Sequence, residues 1–267
     1  MSEKKFALQK LSDGYLQVEA AIVRDIICAV NDWNRWNPAY TGDVYSYCAM
    51  SADDVAHAEQ DELIDLVPVG SVEFCSFFAQ KQGFAPLPAL NVPPALRGYK
   101  WTGRIVGEVP DMDTLGKALT VYEKENPSYL TLIKPADIAK RFDLIGVNSG
   151  FYKQALEEKP GPYFISEELK PKILAEWRIF FRRGRIVAAK PYILDEWVCP
   201  DQTFVEDALH TWADAPTAGT LDVAVLADGN TVVIEAHPLI ACGLYGFDDP
   251  ELLDMLCDAW KWHISSH

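Results

Sequence analysis

Two carboxylates thirteen residues apart, Asp222 and Glu235, carry the strongest chemical signal in the chain. In DVAVLADGNTVVIEAH, from Asp222 to His237, two β-rich runs flank Asp228-Gly229, a residue pair suited to a two-residue hairpin turn. That turn sets Asp222 directly opposite Glu235. Shifting it to Gly229-Asn230 sets Asp222 opposite His237 and leaves Glu235 diagonal. Either register gathers Asp222, Glu235 and His237 on one face, at the end away from the turn. That face continues through Ala224, Leu226, Thr231 and Val233, while Val223, Val225, Val232 and Ile234 form an apolar face for a core. Like charges opposed across a sheet destabilise it unless something positive lies between them. Two readings answer this: an open hairpin end with hydrated acids, or an oxygen-rich site for Mg²⁺, a hard cation that takes a few carboxylates plus substrate phosphates.

A second grouping lies in KILAEWRIFFRRGRIVAAKPYIL, two β-rich runs around Arg183-Gly184. Strand alternation places Glu176, Arg178 and Phe180 on one face, opposite Trp177, Ile179 and Phe181. A glutamate and an arginine in so apolar a strand need either each other, as a structural ion pair, or an anionic ligand. Guanidinium suits a bidentate grip on phosphate or carboxylate oxygens. Lys190, on the return run, is a weaker candidate for the same anion.

Other chemistries find less support. The six cysteines include no CxxC, so neither a disulfide framework nor a zinc site is expected, and most should be buried thiols in a reducing cytoplasm. There is no GxSxG and no HExxH, and PVGSV and VNSG lack the GxxxxGK[ST] arrangement of a phosphate-cradling loop. A Ser-His-Asp site assembled only in space stays open. A net charge of −15 repels phosphate backbones, so nucleic acid is not an expected partner. No run approaches the about 18 apolar residues of a spanning helix, which predicts a soluble intracellular protein.

The elements that must position these groups are legible in outline. EAAIVRDIICAVNDWN has the spacing of an amphipathic helix. LIDLVPVGSVEFCSFFAQKQG reads as strand, turn and helix, with Phe74, Phe77 and Phe78 on the helical face. LPALNVPPALRGYK, dense in proline, is a loop or domain border, lying in a stretch that either packs as a linker or lines a substrate groove. MDTLGKALTVYEKE predicts a helix, and SYLTLIKP a strand stopped by proline. QTFVEDALHTWADA predicts a helix, as does DDPELLDMLCDAWKW, with Asp249 as N-cap and Pro250 in the first turn. Helices mixed with antiparallel hairpins indicate α/β or α+β. The 267 residues suit one large or two modest domains, and 49% hydrophobic residues supply a full core.

These segments together resemble the ATP-grasp ligases. An acid followed thirteen residues on by Glu-x-Asn, at the end of a hairpin, is similar to that family's metal signature. Here it reads Asp222, Glu235 and His237, with histidine where the family has asparagine. The resemblance implies that these residues hold Mg²⁺ bridging the phosphates of ATP, although an imidazole is a softer ligand than an amide oxygen. LTLIKP resembles the strand bearing a phosphate-contacting lysine, Lys134, with a solvated strand-end charge as the alternative. KRFDLIGVNSG resembles the mobile loop that follows, with Lys140 as second phosphate contact or plain surface lysine. FISEELKPKILAEWRIFF is similar to the hinge that receives adenine, formed by Glu167, Glu168 and Leu169, leading into Glu176 and Arg178. Many members carry an arginine two residues before the first metal acid; Thr220 stands there in this chain, and Arg178 is the natural replacement. YKWTGRIV supplies Arg104 from the preceding subdomain.

The resemblance is greatest to a small clade, common in bacteria and their phages, named for two arginines and a lysine. Segments like PVGSVEF, IKP, EWRIFF, LDVAVL and IEAHPLIACGLYG carry it across residues 60–250. It implies an ATP-grasp fold, two α+β subdomains sandwiching the nucleotide within residues 101–267, after an N-terminal α/β region in residues 1–100. It further implies ATP and Mg²⁺, and an ADP-forming carboxylate–amine ligase acting through an acyl phosphate on a peptide, an amino acid or a protein terminus. His237 and Thr220 motivate the alternative of an inactive relative that binds a nucleotide or a partner protein.

Overall fold

Among the residues that the computed structural model describes (3–37, 43–125, 130–194 and 197–266), three sheets organise the chain. The first comprises β1 (Glu3–Gln9), β2 (Val44–Met50) and β3 (Leu66–Val69), parallel and ordered β2-β1-β3. Parallel neighbours need a crossover, and the helix Val18–Trp36 supplies the first, burying Ala20, Val23, Ile26 and Ile27 at helical spacing. The helix Val72–Lys81 follows β3, its start capped by Ser71 Oγ accepting from Phe74 N at 3.2 Å. Its buried face is Phe74, Cys75, Phe78 and Ala79. Phe77, expected on that face, is exposed, because it falls on the far side of the arc these four residues define.

The second sheet contains β4 (Val106–Val109), β5 (Thr131–Pro135), β6 (Ile145–Val147) and β7 (Tyr163–Glu167), antiparallel in the order β4-β7-β5-β6. The helix Met112–Glu125 covers it, joining Leu115 and Leu119 to Val109, Ile133, Val147 and Ile165 in one core. The third sheet holds β8 (Ile173–Arg182), β9 (Arg185–Leu194), β10 (Ala218–Leu226) and β11 (Thr231–Pro238), antiparallel in the order β11-β10-β8-β9. On β8 the expected alternation holds: Ile179 and Phe181 enter a core with Val205 and Leu209 of the helix Gln202–Thr211, while Phe180 joins the core of the first sheet.

The closing helix, Glu251–Ser266, begins where Asp249 Oδ1 accepts from Glu251 N at 2.8 Å. Its Leu252, Leu256 and Trp260 return to the first sheet and pack with Phe6, Leu8 and Phe78. The proline-rich segment is both linker and lining. Val92 and Leu96 are buried, a 3₁₀ turn spans Pro94–Leu96 and a short helix Tyr99–Thr102, while Leu87 to Asn91 border a cavity. Cysteine burial is less uniform than expected: Cys75, Cys242 and Cys257 are buried, and Cys28, Cys48 and Cys199 are exposed. Among the described residues no helix is long and apolar enough to cross a membrane.

The β10–β11 hairpin corrects the expected turn and faces while keeping the opposed acids. Leu226 N donates to Asn230 O at 2.9 Å and closes a loop of three residues, Ala227 to Gly229, with Gly229 in the left-handed region at φ 85°. The pairs nearest the turn are Val225–Thr231, Ala224–Val232 and Val223–Val233. A bulge at Ile234 then adds one residue and restores Asp222 opposite Glu235. The valines therefore sort differently: Val223 and Val233 share a core with Leu221, whereas Ala224, Leu226 and Val232 pack with Ile234 on the face of the acids.

Candidate active site

Strand pairing lays four charged residues in a row across the third sheet: Lys190 opposite Arg178, Arg178 opposite Asp222, and Asp222 opposite Glu235. Arg178 grips Asp222 with both ends of its fork, Nε to Oδ1 at 2.8 Å and Nη2 to Oδ2 at 2.7 Å. Its Nη1 donates to Gly243 O at 3.0 Å. The guanidinium also lies over Tyr192 and Tyr245, 5.7 and 5.0 Å from the ring centroids, and these rings stack on each other at 4.8 Å. Burial works against the charge of Arg178, but its bonds to Asp222 outweigh that and raise its pKa. Burial likewise opposes ionisation of Asp222, and Arg178 and His237 hold its carboxyl below the usual range. The Tyr192 hydroxyl donates to Glu176 Oε2 at 2.9 Å and stands 3.2 Å from Asp222 Oδ2. Burial, reinforced by Asp222 and Glu235, pushes the Glu176 carboxyl up against the opposing Tyr192 bond.

Glu235 has a different partner. Lys134, near the end of β5 in the second sheet, reaches across and places Nζ 2.5 Å from Glu235 Oε2. His237 Nε2 lies 3.5 Å from Asp222 Oδ2 and 3.5 Å from Glu235 Oε1. Burial disfavours the imidazolium, yet the two carboxylates prevail and lift it to about 9. Burial also resists the Glu235 charge, and His237 and Lys134 overcome it to hold that carboxyl far below the usual range. The positive group between the opposed acids is thus His237, while Arg178 and Lys134 each hold one of them. The same cluster offers one ligand atom each from Asp222, Glu235 and His237, all within 4.8 Å of one another, a donor set that fits a divalent cation.

Two cavities meet at the Lys134–Glu235 pair. One, of about 710 Å³, is lined by Glu167, Glu168, Leu169, Lys170, Arg104 and Glu176, with Phe164, Ile173 and Ile234 as apolar walls. The other, of about 390 Å³, is lined by Lys140, Phe142, Arg178, His237, Cys242 and Tyr245. Asn91, Leu144, Lys134 and Glu235 border both. The Glu167 carboxylate does not face a ligand freely, because Oε2 accepts from Ile105 N at 2.9 Å. Leu169 packs against Ala224 and Val232, and so anchors the segment that follows β7 to the third sheet.

Arg104 ties the two sheets together at the larger cavity. Nε donates to Ser166 Oγ at 2.7 Å on β7, Nη1 to Val233 O at 3.0 Å, and Nη2 to Ile234 O at 3.0 Å, the carbonyls on either side of the bulge. Burial lowers its pKa to about 10 despite the nearby Glu235 and Glu176. Its polar atoms are thereby committed to the protein, although the residue lines the cavity. The structure brings together Arg104, Lys134, Lys140, Glu167, Glu168, Leu169, Glu176, Arg178, Glu235 and His237 around the two cavities. Asp222 lies beneath Arg178 and lines neither cavity, and Lys190 also borders neither.

Three further residues shape the site that sequence reasoning left without a role. Asn91 donates Nδ2 to Pro135 O at 2.9 Å and accepts from Ala236 N at 2.6 Å, latching β5 to β11. Tyr192 and Tyr245 form the plates around Arg178. Their only trace in the sequence was the clustering of tyrosine with proline and glycine in KPYIL and CGLYG. Such clusters permit the bulged pairing at Tyr192 and the left-handed backbone at Tyr245, φ 47°. Gly243 allows the close approach, since a Cβ there would meet the Tyr245 ring at 2.9 Å.

Comparison with known proteins converges on one fold. The chain aligns over 97% of its length with 99% of D-cycloserine synthetase DcsG, at TM-score 0.56 and 15% identity. It covers all of D-alanine–D-alanine ligase from Bacillus anthracis at TM-score 0.53 and 12% identity. It also aligns over 97% of its length with the whole ATP-grasp ligase PsnB, solved with a minimal precursor, at TM-score 0.52 and 11% identity. No curated protein matches it in sequence. The family model for the ATP-grasp domain of the two-arginine, one-lysine clade, family 2, matches residues 112–255, more than half of the chain and including Lys134, Arg178, Asp222, Glu235 and His237. The chain belongs to the ATP-grasp superfamily, as a member of the second family of that clade.

Proposed function

We propose that the protein is an ATP-dependent, ADP-forming ligase that joins a carboxylate to an amine through an acyl phosphate. The observation that carries this reading is the junction of two cavities at the Lys134–Glu235 pair. The larger cavity takes the nucleotide, with backbone groups of Glu167, Glu168 and Leu169 reading the adenine edge and Lys134 meeting the phosphates. The smaller takes the carboxylate and the amine, beside Arg178, Lys140 and His237. DcsG is named a D-cycloserine synthetase, the Bacillus anthracis protein a D-alanine–D-alanine ligase, and PsnB was solved with a minimal precursor. An amino acid or a peptide is accordingly the proposed substrate class.

The chemistry asks mainly for positive charge. A carboxylate attacking the γ-phosphate brings two anions together, so catalysis is positioning plus electrostatics and requires no protein nucleophile. Lys134 neutralises phosphate charge, and leaves Glu235 to do so. Arg178, held by Asp222, Gly243 and two tyrosine rings, is a fixed charge on the wall of the smaller cavity. A divalent ion held at Glu235 and His237, beside Asp222, would supply further positive charge to the phosphates. The test is ADP release by the full chain with ATP, divalent metal and a panel of amino acids and short peptides. ADP formation that needs one of these co-substrates is expected. Tight nucleotide binding without turnover under any of them would assign the chain to the nucleotide-binding alternative.

A further inference from the structure

We propose that Glu235 and His237, with Asp222 behind them, form a mixed oxygen–nitrogen centre that selects a first-row transition ion, such as Mn²⁺, over Mg²⁺. This rests on the reading of the cluster as the metal centre for the nucleotide, and adds which ion it takes.

The neighbours of the cluster limit which donors are available. Both oxygens of Asp222 are gripped by Arg178, and the residue borders neither cavity. One oxygen of Glu235 is engaged by Lys134. The donors that face the smaller cavity are therefore Glu235 Oε1 and His237 Nε2, so the imidazole is half of the accessible set rather than a spare. Spacing agrees: ligand atoms each about 2.1 Å from one ion, at right or tetrahedral angles, lie about 3.0–3.4 Å apart. Nε2 is 3.5 Å from Glu235 Oε1.

A second observation points the same way. Thr220 stands opposite His237 in the β10–β11 register, and its Oγ1 is fully buried with no hydrogen-bond partner. A buried hydroxyl costs free energy unless it is paired. Beside a histidine ligand it has a use, as an outer partner for a metal-bound water. Outer partners of this kind tune metal sites. Carboxylates serve Mg²⁺ and Mn²⁺ alike, whereas imidazole nitrogen favours transition ions, and Mg²⁺ keeps to oxygen ligands. The nitrogen is thus the discriminating donor.

The experiment titrates Mg²⁺, Mn²⁺ and Co²⁺ into the full chain, with and without a non-hydrolysable ATP analogue, for the wild type and for His237→Asn. Mn²⁺ and Co²⁺ affinities should fall about tenfold or more in the variant, while the Mg²⁺ affinity changes far less. Electron spin-echo spectra of the Mn²⁺ complex of the wild type should show coupling to an imidazole nitrogen, a readout that requires no variant to fold. Equal Mn²⁺-to-Mg²⁺ affinity ratios in the two proteins, or no nitrogen coupling in the wild type, would overturn the proposal. Glu235→Gln separates the two levels. If it leaves metal and nucleotide binding intact, the cluster is not the metal centre and the reading beneath fails. If it abolishes them while His237→Asn changes nothing, only the ion preference fails.

Discussion

Two cation–carboxylate pairs sit side by side near the middle of the strands of the third sheet, and they are built differently. Arg178–Asp222 is almost fully enclosed, with side chains 7% and 1% exposed, bidentate, and both partners come from paired strands of one sheet. Lys134–Glu235 is 30% and 20% exposed, engages one oxygen, and bridges two sheets. A buried pair cannot be separated without leaving an uncompensated charge in a medium that solvates it poorly. A part-exposed lysine can exchange its carboxylate for another anion and remain hydrated. The difference teaches that the first pair is a fixed part of the wall and the second an exchangeable contact, located where the two cavities meet.

The largest effect should come from breaking the enclosed pair. Arg178→Met leaves Asp222 buried beside Glu176 and Glu235 without its main partner, and should cost about 3–5 kcal/mol of folding stability. The midpoint of urea unfolding measures this. Pairing it with Asp222→Asn should recover part of the loss, because the stranded charge is then removed. A loss below about 1 kcal/mol for Arg178→Met would place the pair with ordinary surface contacts and erase the contrast.

An intermediate effect is expected at the joint between the sheets. Arg104→Met removes the donors to Val233 O and Ile234 O, leaving both carbonyls unpaired, and should cost about 2 kcal/mol on the scale of charge-assisted hydrogen bonds. Because these carbonyls precede Glu235, the same variant should weaken nucleotide binding. Arg104→Lys should recover stability only in part, since one ammonium cannot span the same fork. Stability lost with nucleotide affinity intact would confine Arg104 to a structural tie.

What the sequence made legible depends on distance along the chain. The β8–β9 hairpin, the helix Met112–Glu125 and the closing helix all follow from local turn chemistry, periodicity and caps. The bulge at Ile234 does not, because the arginine bonded to its carbonyls lies 129 and 130 positions away. The expected two-residue turn was one residue too short, and the bulge compensated for it, so the acids face each other for a reason the pattern does not contain. Arg178 was legible as an odd charge in an apolar strand. Its partner was not, because β8 and β10 are joined through β9 and a helix, and no short turn fixes their register. The parallel strands β1 and β2 were obscured for the same reason: a crossover helix separates them and β2 is an exposed edge.

The smallest stability effect is the most informative about function. Lys134→Ala removes a contact whose partners remain partly hydrated, and Glu235 keeps His237 as a neighbour. Its stability should therefore change by less than about 1 kcal/mol. Nucleotide affinity should respond on another scale, because a lysine-to-phosphate bond is charge-assisted and worth about 1.5–3 kcal/mol, roughly a tenfold loss or more. Calorimetric titration with ATP, alongside a melting curve of the free protein, measures both. A melting temperature that collapses would make Lys134 a structural partner like Arg178. An unchanged melt with full-strength ATP binding would instead remove Lys134 from the nucleotide site. Only weak binding with an intact melt keeps the two pairs distinct, one holding the wall and the other released to the phosphates.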